Sequence, residues 1–108
     1  MAVPALEELE LLYGNICQAV GDPKRIQILY TLHENPCHVT GIAEQLDLPQ
    51  PTVSRHLALL KQRGLVKNER DGASVVYYLT DDRIIEVLDI MRQMLRDVLT
   101  QQTSKLDS

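Results

Sequence analysis

Residues 40–79 read TGIAEQLDLPQPTVSRHLALLKQRGLVKNERDGASVVYYL. Thr40 is placed to cap a short helix over about 40–46, with Ile42, Ala43 and Leu46 on one face. Asp47-Leu48-Pro49 ends it as a tight turn. A second helix is expected over about 50–63. Pro51 is tolerated in its first turn, where amides have no intrahelical partner, and Gly64 is a stop signal. Its inward face is Val53, Leu57 and Leu60. Leu65–Asn68 and Ser74–Leu79 then read as strands around an Asp71-Gly72 turn, making a hairpin over about 65–79. Short helix, turn, helix, hairpin is the order of a winged helix-turn-helix.

Outward from that stretch, Leu6, Leu9, Tyr13, Ile16 and Val20 predict an amphipathic helix over about 5–20 that stops at Gly21. Asp22-Pro23 restarts the chain, with Asp as N-cap and Pro at the first helical position. That helix runs over about 23–33, with Ile26, Leu29 and Leu32 inward, until Glu34-Asn35-Pro36 breaks it. On the other side, a long helix is expected over about 82–101. Its stripe is Ile84, Val87, Leu88, Met91, Met94, Leu95 and Val98, and the terminal QQTSKLDS reads as frayed. No linker, repeat or low-complexity tract interrupts the chain. One mainly α domain over 1–108 with a β-hairpin wing is the expectation.

Without Trp or Phe, the core must be built from Leu, Ile and Val with four Tyr, and a small aliphatic core gains from pairing with a second copy. The last helix points the same way, since its apolar stripe is wider than a lone domain of two layers needs. No 18-residue apolar run is present, and the N-terminus MAVPALEELELL lacks the basic start of a secretory signal. Cys17 and Cys37 are too few for a disulfide framework, so a reducing cytoplasm is the expected location, away from any membrane.

The formal charge of −4 argues against a polyanion partner until its distribution is read. Residues 1–23 carry −4, 24–48 carry −1, 49–80 carry +3 and 81–108 carry −2. The one basic segment is therefore the second helix of the helix-turn-helix and its hairpin. Such a helix fits the major groove of B-DNA and brings its N-terminal side chains to base edges. Outside the apolar stripe stand Gln50, Thr52, Ser54, Arg55, His56, Lys61 and Gln62. Gln pairs with adenine, Arg with guanine, and Ser or Thr with bases or phosphate. Arg63 and Lys67 are close enough in sequence to neutralise backbone charge, and Arg70 at the hairpin tip suits a minor groove. The plainer account is a solvated helix face and a hairpin that merely covers the core with Val76 and Tyr78. A winged helix used for protein–protein contact is the alternative function. No nucleophile–base set, phosphate loop or catalytic carboxylate pair suggests an enzyme.

The stretches AVGDPKRIQILYTL (19–32), IAEQLDLPQPTVSRHLALLKQRGLV (42–66) and ERDGASVVYYL (69–79) resemble the ArsR/SmtB family of winged-helix repressors. TVSRHLALLKQRGLV (52–66) is the most specific part. The resemblance implies a cytoplasmic homodimer paired through its first and last helices. It would hold an inverted-repeat operator in double-stranded DNA until an unidentified inducer, whether a metal, a redox signal or a small molecule, lowers its affinity. The pairing residues would be Leu6, Leu9, Tyr13, Ile84, Leu88, Met91, Leu95 and Val98.

The family's metal sites match poorly. Its Cys-Val-Cys pattern is represented by Cys37-His38-Val39, and its Asp-x-His pair with a later His and Glu by Asp81, Arg83, Met94 and Asp97. Arg cannot ligate zinc and Met is a poor ligand for it. A sulfur sensor would need Cys at Tyr30. No cofactor is therefore expected. The remaining candidates for a thiol-bound metal or metalloid, or a redox signal, are Cys17, Cys37, His33 and His38. The plainer reading makes Cys17 a buried small hydrophobe near the dimer seam and Cys37 a loop thiol.

Overall fold

The computed structural model describes residues 2–107, with side-chain surroundings for 2–103. Helix α1 spans Leu6–Leu12 and passes into a π-helical turn over Tyr13–Cys17. The helices α2 (Pro23–Glu34), α3 (Val39–Leu46), α4 (Gln50–Gln62) and α5 (Arg83–Asp107) follow. Strands β1 (Cys37–His38), β2 (Val66–Asp71) and β3 (Ser74–Leu79) form an antiparallel sheet in the order β1-β3-β2.

Several boundaries differ from the sequence expectation. The single helix over 5–20 is an α-helix, a π turn and a closing turn, and its only fully buried residue is Ala19. The cap of α3 is His38 in extended conformation, not Thr40, and no side chain accepts from its first amides. The start moves because Cys37 and His38 pair with Tyr77 and Val76 of β3, a two-residue strand too short to leave a periodic signal. The wing turn also shifts by one. Asp71 pairs with Ser74, so Gly72-Ala73 is the central dipeptide, with Gly72 alone at positive φ (66°), as a type II′ hairpin requires. Helix α5 continues to Asp107, so the tail expected to fray is helical as far as Asp107, and Ser108 lies outside the described residues.

The restart at α2 is as the sequence reads. Asp22 accepts from the amides of Lys24 (2.8 Å) and Arg25 (3.3 Å), and Pro23 leads the helix. Both helices of the helix-turn-helix end alike. The Leu48 amide bonds to the Ala43 carbonyl (3.0 Å) over Asp47 at φ 54°, and the Leu65 amide to the Leu60 carbonyl (2.9 Å) over Gly64 at φ 81°. A left-handed residue closes each helix, and Asp47 is a short polar side chain that tolerates that region.

The core joins every layer. Ile28 and Leu29 of α2, Ile42 of α3, Val53, Leu57 and Leu60 of α4 and Val66 of β2 are fully buried, with Ile85 and Leu88 of α5 against them. Helix α4 is thus clamped along one face, leaving its opposite face free. Beyond Leu88, α5 leaves the body, and the radius of gyration is 16.8 Å, against about 13 Å for a compact chain of this length.

Candidate nucleic-acid interface

Helical periodicity divides the polar side chains of α4 into two flanks around the buried Val53–Leu57–Leu60 stripe. Gln50, Ser54 and Lys61 form one exposed row, with Arg55 projecting beside it. Among the described residues Arg55 has neither a hydrogen bond nor an ion pair, so its guanidinium is available to a ligand. No side chain caps the first turn of α4, so its leading amides also face outward, a disposition that favours phosphate.

Thr52, His56 and Arg63 form the other flank and are half-buried. Two of these expected DNA contacts are engaged inside the chain. Arg63 Nη2 donates to Gln18 Oε1 at 3.3 Å, and its Nε is buried with no partner among the described residues. His56 Nδ1 faces Arg25 Nη1 at 3.4 Å. Their register on the helix turns both toward α2 and the end of the first helical segment. Burial is the main reason the His56 imidazole titrates below its ordinary value; the cations of Arg25, Arg55 and Lys24 add to this, and only Asp22 opposes it.

On the wing, Lys67 and Arg70 are both exposed, but they are three positions apart on a regular strand and so lie on opposite faces. Lys67 shares its face with Glu69 and Asp71. Tyr78 donates to Glu69 at 3.1 Å, and the wing is tied to the body where His38 Nε2 approaches Asp71 at 3.4 Å. The sequence reading missed Arg25, which lacks any periodic or motif signal of its own role. Its guanidinium joins α2 to α4 only because the fold brings residues 31 positions apart together.

The sensor candidates are dispersed. His33 faces Asp82 at 3.4 Å, His38 faces Asp71 and the Val75 carbonyl, and the Cys37 thiol donates to the Asn35 carbonyl at 3.3 Å. Among the described residues no group of three or more His, Cys, Asp or Glu stands close enough to hold a metal ion. Cys17 is exposed rather than buried in the single chain, because the π turn directs it to the cleft between the first helical segment and α5. Of the expected pairing residues, Ile84 and Leu88 belong to the chain's own core at 8% and 3% exposure. They sit at the start of α5, where it still rests on the body. Leu6, Leu9, Tyr13, Met91, Leu95 and Val98 are exposed. Among the described residues no helix is long and apolar enough to cross a membrane.

The family model for bacterial regulatory proteins of the arsR family matches residues 22–68, which is α2 through the first half of β2. An HTH-type transcriptional regulator of Methanocaldococcus jannaschii is 41% identical over 82 residues, covering 75% of this chain and 92% of that protein. The chain belongs to the ArsR family. The HTH-type transcriptional repressor SmtB of Mycobacterium tuberculosis is 37% identical over 75 residues, 69% of this chain. The match spans just over half of SmtB's own length, 56%. The fold is shared with the solution structure of a homodimeric winged helix-turn-helix DNA-binding domain of Mycobacterium bovis. Its TM-score is 0.75 at 24% identity, over 94% of this chain and 95% of that one. This ArsR protein is a DNA-binding transcriptional regulator and not an enzyme.

Proposed function

We propose that two copies of this chain pair through α1 and α5, bind an inverted-repeat operator in the cytoplasm and repress transcription until an inducer lowers their affinity. Val87, Ile90, Met91, Met94, Leu95 and Val98 carry this reading. They recur at three- and four-residue spacing along α5 and are each at least half exposed. A run of this kind on a helix projecting from its own core is the seam of a helix pair. The exposed apolar side of α1, with Leu6 and Tyr13, extends the same surface.

Two-fold pairing doubles the α4 face. Gln50, Ser54 and Arg55 would meet base edges, Thr52, His56 and Lys61 the adjoining bases or phosphate, and Arg70 the flanking groove. The repressor SmtB and the homodimeric mycobacterial domain support the repressor and dimer parts.

Selection of bound duplexes from a random-sequence DNA pool, followed by sedimentation of the complex, tests this. The expected outcome is an enriched two-fold symmetric motif with half-site centres about 34 Å or a multiple apart, bound by two chains, with affinity falling steeply as salt rises. No enrichment, or salt-independent binding to a protein partner instead, overturns it.

A further inference from the structure

The guanidinium of Arg25 stands where α2, α4 and the end of the first helical segment meet. Its Nε donates to the Ala19 carbonyl at 2.7 Å and its Nη2 to the Gln18 carbonyl at 3.1 Å. Its Nη1 lies 4.0 Å from the Asp22 carboxylate and 3.4 Å from His56 Nδ1. The side chain is only 14% exposed, so the fork is held on several sides, and an Nη1 N–H is aimed at the imidazole.

Arginine has donors and no acceptor, and it does not lose its charge in proteins. A protonated Nδ1 at this distance would set N–H against N–H, whereas a bare Nδ1 accepts the bond. A neutral imidazole whose Nδ1 is bare carries its one proton on Nε2. We propose that Arg25 locks His56 in the Nε2–H tautomer, and that this N–H is a neutral donor from α4 to an acceptor on DNA. Arg25 is thereby a positioning residue for DNA binding that acts through His56. The inference rests on reading His56 as a DNA contact.

The charged groups acting on His56 are Asp22 at the N-cap of α2, Lys24 and Arg25 of α2, and Arg55 of its own helix. Burial and the three cations favour the neutral ring, with Asp22 alone opposing them. A neutral donor releases no counterions, so His56 contributes affinity without contributing to salt dependence. It also ties DNA reading to the first helical segment, because the guanidinium that orients the imidazole is anchored on the Gln18 and Ala19 carbonyls.

The test uses the full chain. Long-range proton–nitrogen NMR of the imidazoles at pH 7, without DNA, is compared for wild type, Arg25→Gln and Arg25→Lys. Affinity is then measured on the duplex that the wild type selects from a random pool, with His56→Phe, His56→Gln and the double variant Arg25→Gln/His56→Phe. Wild-type His56 is expected to show a bare Nδ1 and a protonated Nε2, and Arg25→Gln a mixture of tautomers. Arg25→Gln and His56→Phe should each weaken binding about three- to tenfold, the double variant no further, and the salt slope should not move. His56→Gln, with an amide N–H near the same place, should recover most of the loss.

A protonated Nδ1 in the wild type overturns the proposal, as do single losses that simply multiply. The Nε2–H signature combined with undiminished binding by His56→Phe overturns the DNA contact while leaving the tautomer, so the two failures are distinct. If Arg25→Gln does not fold, Arg25→Lys replaces it in the cycle, and the wild-type spectrum decides the tautomer without any variant.

Discussion

The Tyr30 hydroxyl on α2 donates to the Asp89 carboxylate on α5 at 2.5 Å. Arg92, one turn further along α5, closes the group: it lies 3.3 Å from Asp89 and 5.2 Å from the centre of the Tyr30 ring. The group ties α2 to α5 where the long helix leaves the body. Burial first, and then the Asp89 carboxylate, push the Tyr30 phenol up from its ordinary 10.0.

A raised pKa means the folded chain holds that proton more tightly than the unfolded one. The stabilisation is therefore complete below the ordinary phenol value and lost as pH rises through the folded value. Unfolding midpoints of wild type and Tyr30→Phe should differ most near pH 7, and the gap should close above about pH 10. A gap independent of pH would show that the phenol's proton contributes nothing.

At the start of α5, Asp81 is held at about 2 by the Arg83 side chain and amide. A depressed carboxyl stabilises above its ordinary 3.8 and loses that contribution as pH falls toward 2. Acid titration monitored by helical circular dichroism should be shallower for Asp81→Asn than for wild type in that window. Identical curves would remove Asp81 from the acid response.

Leu57 is completely buried beneath α4. Leu57→Ala should cost about 2–5 kcal/mol, the range for an aliphatic cavity in a packed core. Chemical denaturation at fixed protein concentration measures it, and a loss under about 1 kcal/mol would mean that the site collapses around the smaller residue.

Arg55 is exposed and has no hydrogen bond or ion pair among the described residues. Arg55→Ala should leave the unfolding free energy within about 0.5 kcal/mol of wild type. It should weaken DNA binding by about 1–3 kcal/mol, confined to the selected sequence if Arg55 reads a base and uniform across sequences if it grips phosphate. Fluorescence anisotropy on selected and scrambled duplexes separates the cases, and unchanged affinity on both removes Arg55 from the interface.

Leu95 is 56% exposed in the middle of the apolar run of α5, the proposed pairing seam. Leu95→Glu should convert the species seen in sedimentation to a single chain with its helices intact. Losing simultaneous engagement of two half-sites should then weaken operator binding by about a hundredfold or more. A variant that stays paired would place the seam elsewhere.

Much of this was legible before any coordinates. The α3–turn–α4–hairpin order, the Asp22-Pro23 start and the inward set Val53, Leu57 and Leu60 follow from short-range rules that act within one turn or one helix face. Asp22 caps α2 and Gly64 ends α4 for reasons entirely local. What escaped was relational. β1 forms only because β3 passes beside Cys37 and His38, and the Asp71-Gly72 signal could not specify which dipeptide would sit at the bend.

Local chemistry thus determined which segments become helices, which face of each is apolar and where positive charge gathers. Only the tertiary structure decided the use of individual polar side chains. Packing α4 against α2 divides one polar helix into an open row holding Arg55 and an engaged row holding His56 and Arg63. The physical reason is that a side chain's freedom depends on what packs within a few ångströms of it. The contacts of Arg25 with His56, of Tyr30 with Asp89 and Arg92, and of Arg63 with Gln18 join residues 31 to 62 positions apart in sequence.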